Sequence, residues 1–258
     1  MRAEAALPVL PLYGFLLVLA RVSGALIFVP LPGVRQSPEM ARIVLSLACT
    51  IILFPHWPSL EAVPAAGQLT GWLILEAATG VLVGLAVALF TEALLMSAQA
   101  IGLPAGYGYA SIVDPQTQAD SGVLLVLAQL VAGMLFFALG LDREVVSTIA
   151  RSLEAMPPGA GPPRASAEVL VRLAGGVFST GFRLAMPVLA LLVMVDVALA
   201  LLGRLNAQLQ LLTLAFPVKM LVAVLMLAWT AALWPKIYGG YGRYALDIVG
   251  SLILRGGR

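Results

Sequence analysis

Six charged residues interrupt the long apolar stretches of this sequence, so any chemistry would start with them. They are Arg21, Glu76, Glu92, Arg183, Asp196 and Lys219. A charge at the centre of a bilayer is costly, so each needs a partner, a wet cavity or a place outside the hydrocarbon. One reading is a proton or ion pathway using Glu76, Glu92 or Asp196. The other is a set of buried pairs, or helix segments that do not sit in lipid. Six such residues in one chain of 258 point to protein surroundings more than to a single relay. Glu76 and Glu92 lie 16 positions apart, about 24 Å along a helix, which is too far for a direct proton wire. Between them Gly80, Gly84 and Ala88 continue an i+4 row. Small residues on such a slanted ridge let a neighbouring backbone come close, so the row reads as a helix-packing face.

Enzyme chemistry has little else to use. Cys49 and His56 are the only residues of their kinds, which excludes an intramolecular disulfide and any multi-cysteine metal site. No nucleophile elbow, phosphate loop or zinc-binding H-E-x-x-H is present. The expectation is a protein that is not an enzyme, with no catalytic residues, no cofactor and no metal. A net charge of +2 gives no support to nucleic-acid binding.

The elements that carry these residues are apolar helices. The chain is 61% hydrophobic and 11% charged, against roughly half and a quarter for soluble domains. The expected fold class is all-α, a polytopic membrane-associated helical protein with about six apolar segments. These are Val9–Val29, Ile43–Phe54, Leu69–Ile101, Gly122–Leu141, Leu173–Leu202 and Leu209–Trp234. The second is only about 18 Å long, too short to span alone. The first carries Arg21 and runs on without a cleavage site, so it reads as a retained helix. Pro187 and Pro217 should kink or break the fifth and sixth. If all six segments cross, nine Lys and Arg fall on the side of the N-terminus and three on the other, which puts both termini in the cytoplasm. The expectation is a single domain, 1–258, with an internal polar segment at 141–172. The first half of that segment reads as a short amphipathic helix. Its "PPGAGPP" excludes helix.

Two polar stretches are more elaborate than connectors. "GYGYASIVDPQTQADSG" (106–122) interrupts the apolar sequence with Tyr, Asp, Gln and Gly. "GRLNAQLQLLTLAFPVKM" (203–220) leads from a polar turn into an apolar run broken at Phe216–Pro217. The bland reading of 106–122 is an ordinary exposed loop.

Together with "VLARVSGALIFVPL" (18–31) and "GLPAGYGYASIVDPQTQAD" (102–120), the stretch 203–222 resembles the FliR family of flagellar and type III secretion export-gate proteins. Its virulence-system relatives are the SpaR, YscT and HrcT proteins. The likeness runs in register over essentially the whole chain. It departs from the family pattern at Ala207, at Asp196 and at Gly140–Asp142. The resemblance implies a core subunit of the type III export apparatus, flagellar or of the virulence type, in the bacterial inner membrane at the basal body. It implies FliP-like and FliQ-like partners that form the gate with it, FlhB-like and FlhA-like proteins beside them, unfolded exported proteins as cargo, and membrane lipid. It further implies that the central loop plugs the export channel. Gly106 and Gly108 would bend that loop, Tyr107, Tyr109 and Ile112 fill it, and Asp114–Pro115 fix a turn. Arg204, Gln208, Phe216, Pro217 and Lys219 would carry interface roles. The competing reading is an ion or small-molecule transporter, which usually shows repeated halves; no such repeat is visible.

Overall fold

The computed structural model describes residues 9–30, 39–107, 122–205 and 211–256. They form eight α-helices and no strand among the described residues. In order these are α1 (Val9–Leu26), α2 (Glu39–Ile52), α3 (Ala66–Gly102), α4 (Val123–Ala138), α5 (Leu141–Ala155), α6 (Ser166–Leu205), α7 (Leu211–Thr230) and α8 (Trp234–Gly256). Short 3-10 turns follow α2 and α7. The chain is an all-α polytopic membrane protein. Three helical stretches are long and apolar enough to cross a bilayer: Ala66–Gly102, Ser166–Arg204 and Ala215–Gly256. α4 and α5 together make a fourth if a broken pair counts as one span.

Several expectations need correction. Among the described residues α1 and α2 have 18 and 14 residues, about 27 and 21 Å, and neither is among the helices long and apolar enough to cross a bilayer. An orientation argued from six crossings therefore loses its footing. The last helix, α8, lies in a region that reads as tail, because Gly, Tyr and Arg dilute its apolar pattern. Its buried positions Tyr238, Ala245, Leu246, Val249 and Ile253 nonetheless repeat at helical spacing. Pro187 and Pro217 do not break their helices, which continue through them. Each proline costs one N–H, but its ring is turned outward and the flanking turns hold. The amphipathic helix expected in 141–172 is present as α5, with Asp142 and Glu144 in its first turn, where the helix dipole favours acids. The chain breaks before it at Gly140, whose φ of 70° is the left-handed conformation glycine tolerates best.

The chain divides into two compact units. Unit 1 comprises Met1–Leu89, Gly140–Ala174 and Gly242–Arg258; unit 2 comprises Phe90–Leu139 and Gly175–Tyr241. α3, α6 and α8 each begin in one unit and end in the other.

In unit 1, α1 lies backbone to backbone on α3. A Cβ at Gly24 would stand 2.5 Å from the Ala77 carbonyl oxygen, and one at Gly84 2.5 Å from that of Ala25. One at Gly80 would overlap the carbonyl of Arg21. The ridge read in the sequence is thus a packing face whose neighbour at Gly80 and Gly84 is α1 of the same chain, not another subunit. Leu17, Val18, Val22 and Ala25 of α1 and Leu82, Val83 and Ala86 of α3 are buried, while Ala88 is half-buried.

The close approach of α1 and α3 brings Arg21 to Glu76. Both side chains are 2% exposed, and Arg21 Nε donates to Glu76 Oε2 at 2.5 Å. Arg21 also donates to Ser152 Oγ on α5 at 3.0 Å, and the Gly159 N–H donates to Glu76 Oε1 at 3.1 Å. Both carboxylate oxygens are therefore satisfied, as a buried charge requires. Gly159, at φ +80°, lies against the Trp72 ring, and Gly161, at φ +70°, against Leu75. A β-carbon at residue 159 would collide with the indole. The "PPGAGPP" stretch is thus held to α3 by a left-handed turn that admits only glycine there.

In unit 2, Phe90 packs edge-on against Tyr238, with ring centroids 5.4 Å apart, and stacks with Phe136 at 6.3 Å. A second cluster joins Ala98, Ile101 and Ala105 to Leu124 and Ala128 of α4, Ala185, Val188 and Leu192 of α6, and Ala223 of α7. Small residues dominate this cluster, so the four chain segments approach closely.

Candidate functional site

The second cluster fixes the point from which the central loop leaves α3. The last helical turn ends at Gly102, and residues 103–107 curl back, with the Ala105 N–H donating to the Ile101 carbonyl and the Tyr107 N–H to that of Gly102. Ala105 is fully buried. Gly106 has φ +87°, and a Cβ there would stand 2.9 Å from Phe216 Cδ1. The Phe216 ring therefore lies over a position that only glycine fills without strain. The Tyr107 hydroxyl donates to the Met220 carbonyl oxygen at 3.4 Å. Burial raises the phenol above its ordinary value, so it keeps the proton it donates. One turn of α7, from Phe216 to Met220, thus holds the loop stem.

The same turn is tied to α6. Lys219 pairs with Asp196; Lys219 is 18% exposed and Asp196 48%. Of the residues singled out in the sequence, Gly106 therefore meets Phe216, Tyr107 bonds to the same turn of α7, and Lys219 of that turn pairs with Asp196. Sequence reasoning missed the Met220 carbonyl and Ala105. A carbonyl has no residue-type signal, and Tyr107 and Met220 are 113 positions apart.

The remaining candidates are distributed differently. Gly108, Tyr109, Ile112, Asp114, Pro115 and Gln208 lie outside the described residues. Pro217 is exposed beside Phe216, and Arg204 is exposed in the last turn of α6, where a cation complements the helix dipole. Of the charges expected to be buried, only Arg21 and Glu76 are. Glu92, Arg183 and Asp196 sit on outward faces of their helices, because the small and apolar residues beside them occupy the packed faces. No group of three metal-ligating side chains occurs among the described residues.

Substituting valine at Gly106 should disrupt this stem. The left-handed φ strains any β-branched residue, and the new side chain displaces Phe216, so the expected cost is about 1–3 kcal/mol. Limited proteolysis of the membrane-embedded chain should show faster cleavage within 103–121 than in the parent. An unchanged digestion pattern would show that Phe216 does not hold the stem.

The profile describing bacterial export proteins, family 1, matches residues 12–242, which include both halves of this site. The chain is a member of that family. Its relatives include the flagellar biosynthetic protein FliR of Escherichia coli K12, 28% identical over 222 residues, covering 85% of this chain and 82% of the relative. The FliR protein of Pectobacterium carotovorum is 28% identical over 241 residues, covering 93% and 90%. That of Bacillus subtilis 168 is 25% identical over 220 residues, covering 83% and 84%. Within this export-protein family member, the paired glycine and phenylalanine of the stem lie in the two stretches that carried the sequence resemblance.

Proposed function

We propose that this chain, acting as one export-gate domain over residues 1–258, is a non-enzymatic core subunit of a flagellar type III protein export apparatus. In this reading it joins FliP-like and FliQ-like chains in a gate for unfolded proteins. The gate stands at the basal body in the bacterial inner membrane, with FlhB-like and FlhA-like proteins beside it. The stretch 106–120 serves as the plug, with the Phe216 turn holding its stem, and Gly80 and Gly84 serve to pack α1 on α3. Membership in an export family and relatives named for flagellar biosynthesis support the setting. The observation that carries the plug role is the stem, a glycine in left-handed conformation clamped by Phe216 and followed by Tyr107 bonded to α7. A simple connector needs only a few residues and no such clamp.

Deleting residues 108–112 tests the reading, because it leaves Gly106 and Tyr107 in place. The packed helices contribute the assembly contacts and the loop contributes occlusion. The shortened chain should therefore still co-purify with its partners, while ion conductance of membranes carrying the complex rises severalfold. Bulky groups in a narrow pore exclude water and so block ions. An intact complex that leaks no more than the parent removes the plug role. A parent chain that recovers no FliP-like or FliQ-like partner removes the gate reading itself.

A further inference from the structure

Two charges stand alone in long apolar runs of unit 2. Asp196 is the one charged residue from 184 to 203, and Lys219 the one from 205 to 235. They nevertheless find each other, 23 positions apart. Among the described residues no other ion pair lies within unit 2. With Lys219 18% and Asp196 48% exposed, such a pair contributes little to global stability. What a charge pair adds is register, because it accepts one partner where an apolar face accepts many.

Register matters at this point of α7. Lys219 lies in the turn Phe216–Met220 that holds the loop stem, between the ring laid over Gly106 and the carbonyl that accepts from Tyr107. That turn is weak within its own helix. Pro217 has no N–H to give to the carbonyl of Thr213, so α7 lacks one ladder bond at the very turn that carries Phe216. The grip of the turn on the stem is also slight. It consists of one ring contact and one hydrogen bond of 3.4 Å, longer than a strong O–H···O bond. We infer that Asp196 and Lys219 are positioning residues for the central loop. Their charge pairing ties the turn to α6 and so sets where Phe216 meets Gly106 and where Met220 receives Tyr107. They act through those two residues. The step from stem position to a closed channel rests on the plug reading above; the positioning itself rests on these contacts alone.

The test uses the full chain in native membranes with whatever partners it has. It compares Asp196→Asn, Lys219→Met, the two together, and Asp196→Glu. Limited proteolysis within 103–121 reads the stem. Each charge-losing variant should be cut about two to five times faster than the parent, the factor that an ion pair of this exposure can put between two states. The double variant should be cut no faster than the worse single one, since both remove the same interaction. Asp196→Glu keeps the charge and should digest close to the parent rate, which a role in shape alone would not produce. Parent-like cleavage of both charge-losing variants overturns the inference. Multiplying rates in the double variant, or Asp196→Glu cut as fast as Asp196→Asn, overturn it equally. Ion conductance, with the 108–112 deletion as reference, separates this from the plug reading. A leaking deletion beside parent-like cleavage of the charge variants removes the positioning role and leaves the plug. A tight deletion beside the expected cleavage pattern removes the plug and leaves the positioning role.

Discussion

Replacing Glu76 with methionine should destabilise the chain by about 3–5 kcal/mol, among the largest single effects expected in this protein. The reason is not the lost attraction alone. Arg21 is 2% exposed and, among the described residues, would be left with Ser152 to receive its guanidinium. The Gly159 N–H would also lose its acceptor, releasing the loop that Gly159 and Gly161 hold against α3. Arg21→Met should be similarly harmful, because it leaves a carboxylate in the same dry place. The double substitution should be much milder than the sum, since two apolar groups of like volume remove both desolvation penalties. The measurement is apparent thermal stability in mild detergent for the parent, both single variants and the double. Additive losses would mean that the two groups do not act as a buried pair.

Gly80→Leu should be at least as damaging, for steric rather than electrostatic reasons. Overpacking usually costs about 1–3 kcal/mol because side chains yield. Here the obstacle is the backbone carbonyl of Arg21, with Ala25 N 3.0 Å away, and a helix backbone cannot rotate aside. α1 must lift from α3, which also pulls Arg21 away from Glu76. The internal control is Gly71→Leu on the same helix, where nothing lies within 4 Å of the added Cβ. That change should be neutral or favourable by up to roughly 0.8 kcal/mol, since leucine is the better helix former. Comparable losses at residues 71 and 80 would show that the close approach to α1 is not what matters. The fate of partner proteins is secondary in this experiment, because the packing lies within one chain.

The two predictions mark how far the sequence could be read. The small-residue ridge from Glu76 to Glu92 was legible as a close-packing face, because spacing along one helix is a local property. The identity of its neighbour was not, since any apolar helix could fill that role. Arg21 and Glu76 could be recognised as charges needing partners, yet their pairing across 55 positions, and the part played by Ser152 a further 76 along, left no trace in residue spacing. Glu92 and Arg183 read identically to them in sequence and proved to lie on the outside. The stem of the central loop was legible in its parts, Gly106 and Tyr107 on one side and Phe216 on the other, but not as one site.

By itself, the sequence determined the solvent and the class. Its apolar content demands lipid or protein cover, its long uncharged runs demand helices, and its Pro-Gly stretches stop them. These follow from the free energy of transfer and from backbone chemistry, which act residue by residue. The tertiary structure alone decided which charges are buried and which rim a surface, and that Phe216 sits over Gly106. It also decided that 234–256 is a helix rather than a tail. Those outcomes depend on which faces meet, and a helix offers several faces of nearly equal greasiness in a chain that is 61% hydrophobic. Only close contact between backbones, possible where glycine leaves room, chooses among them.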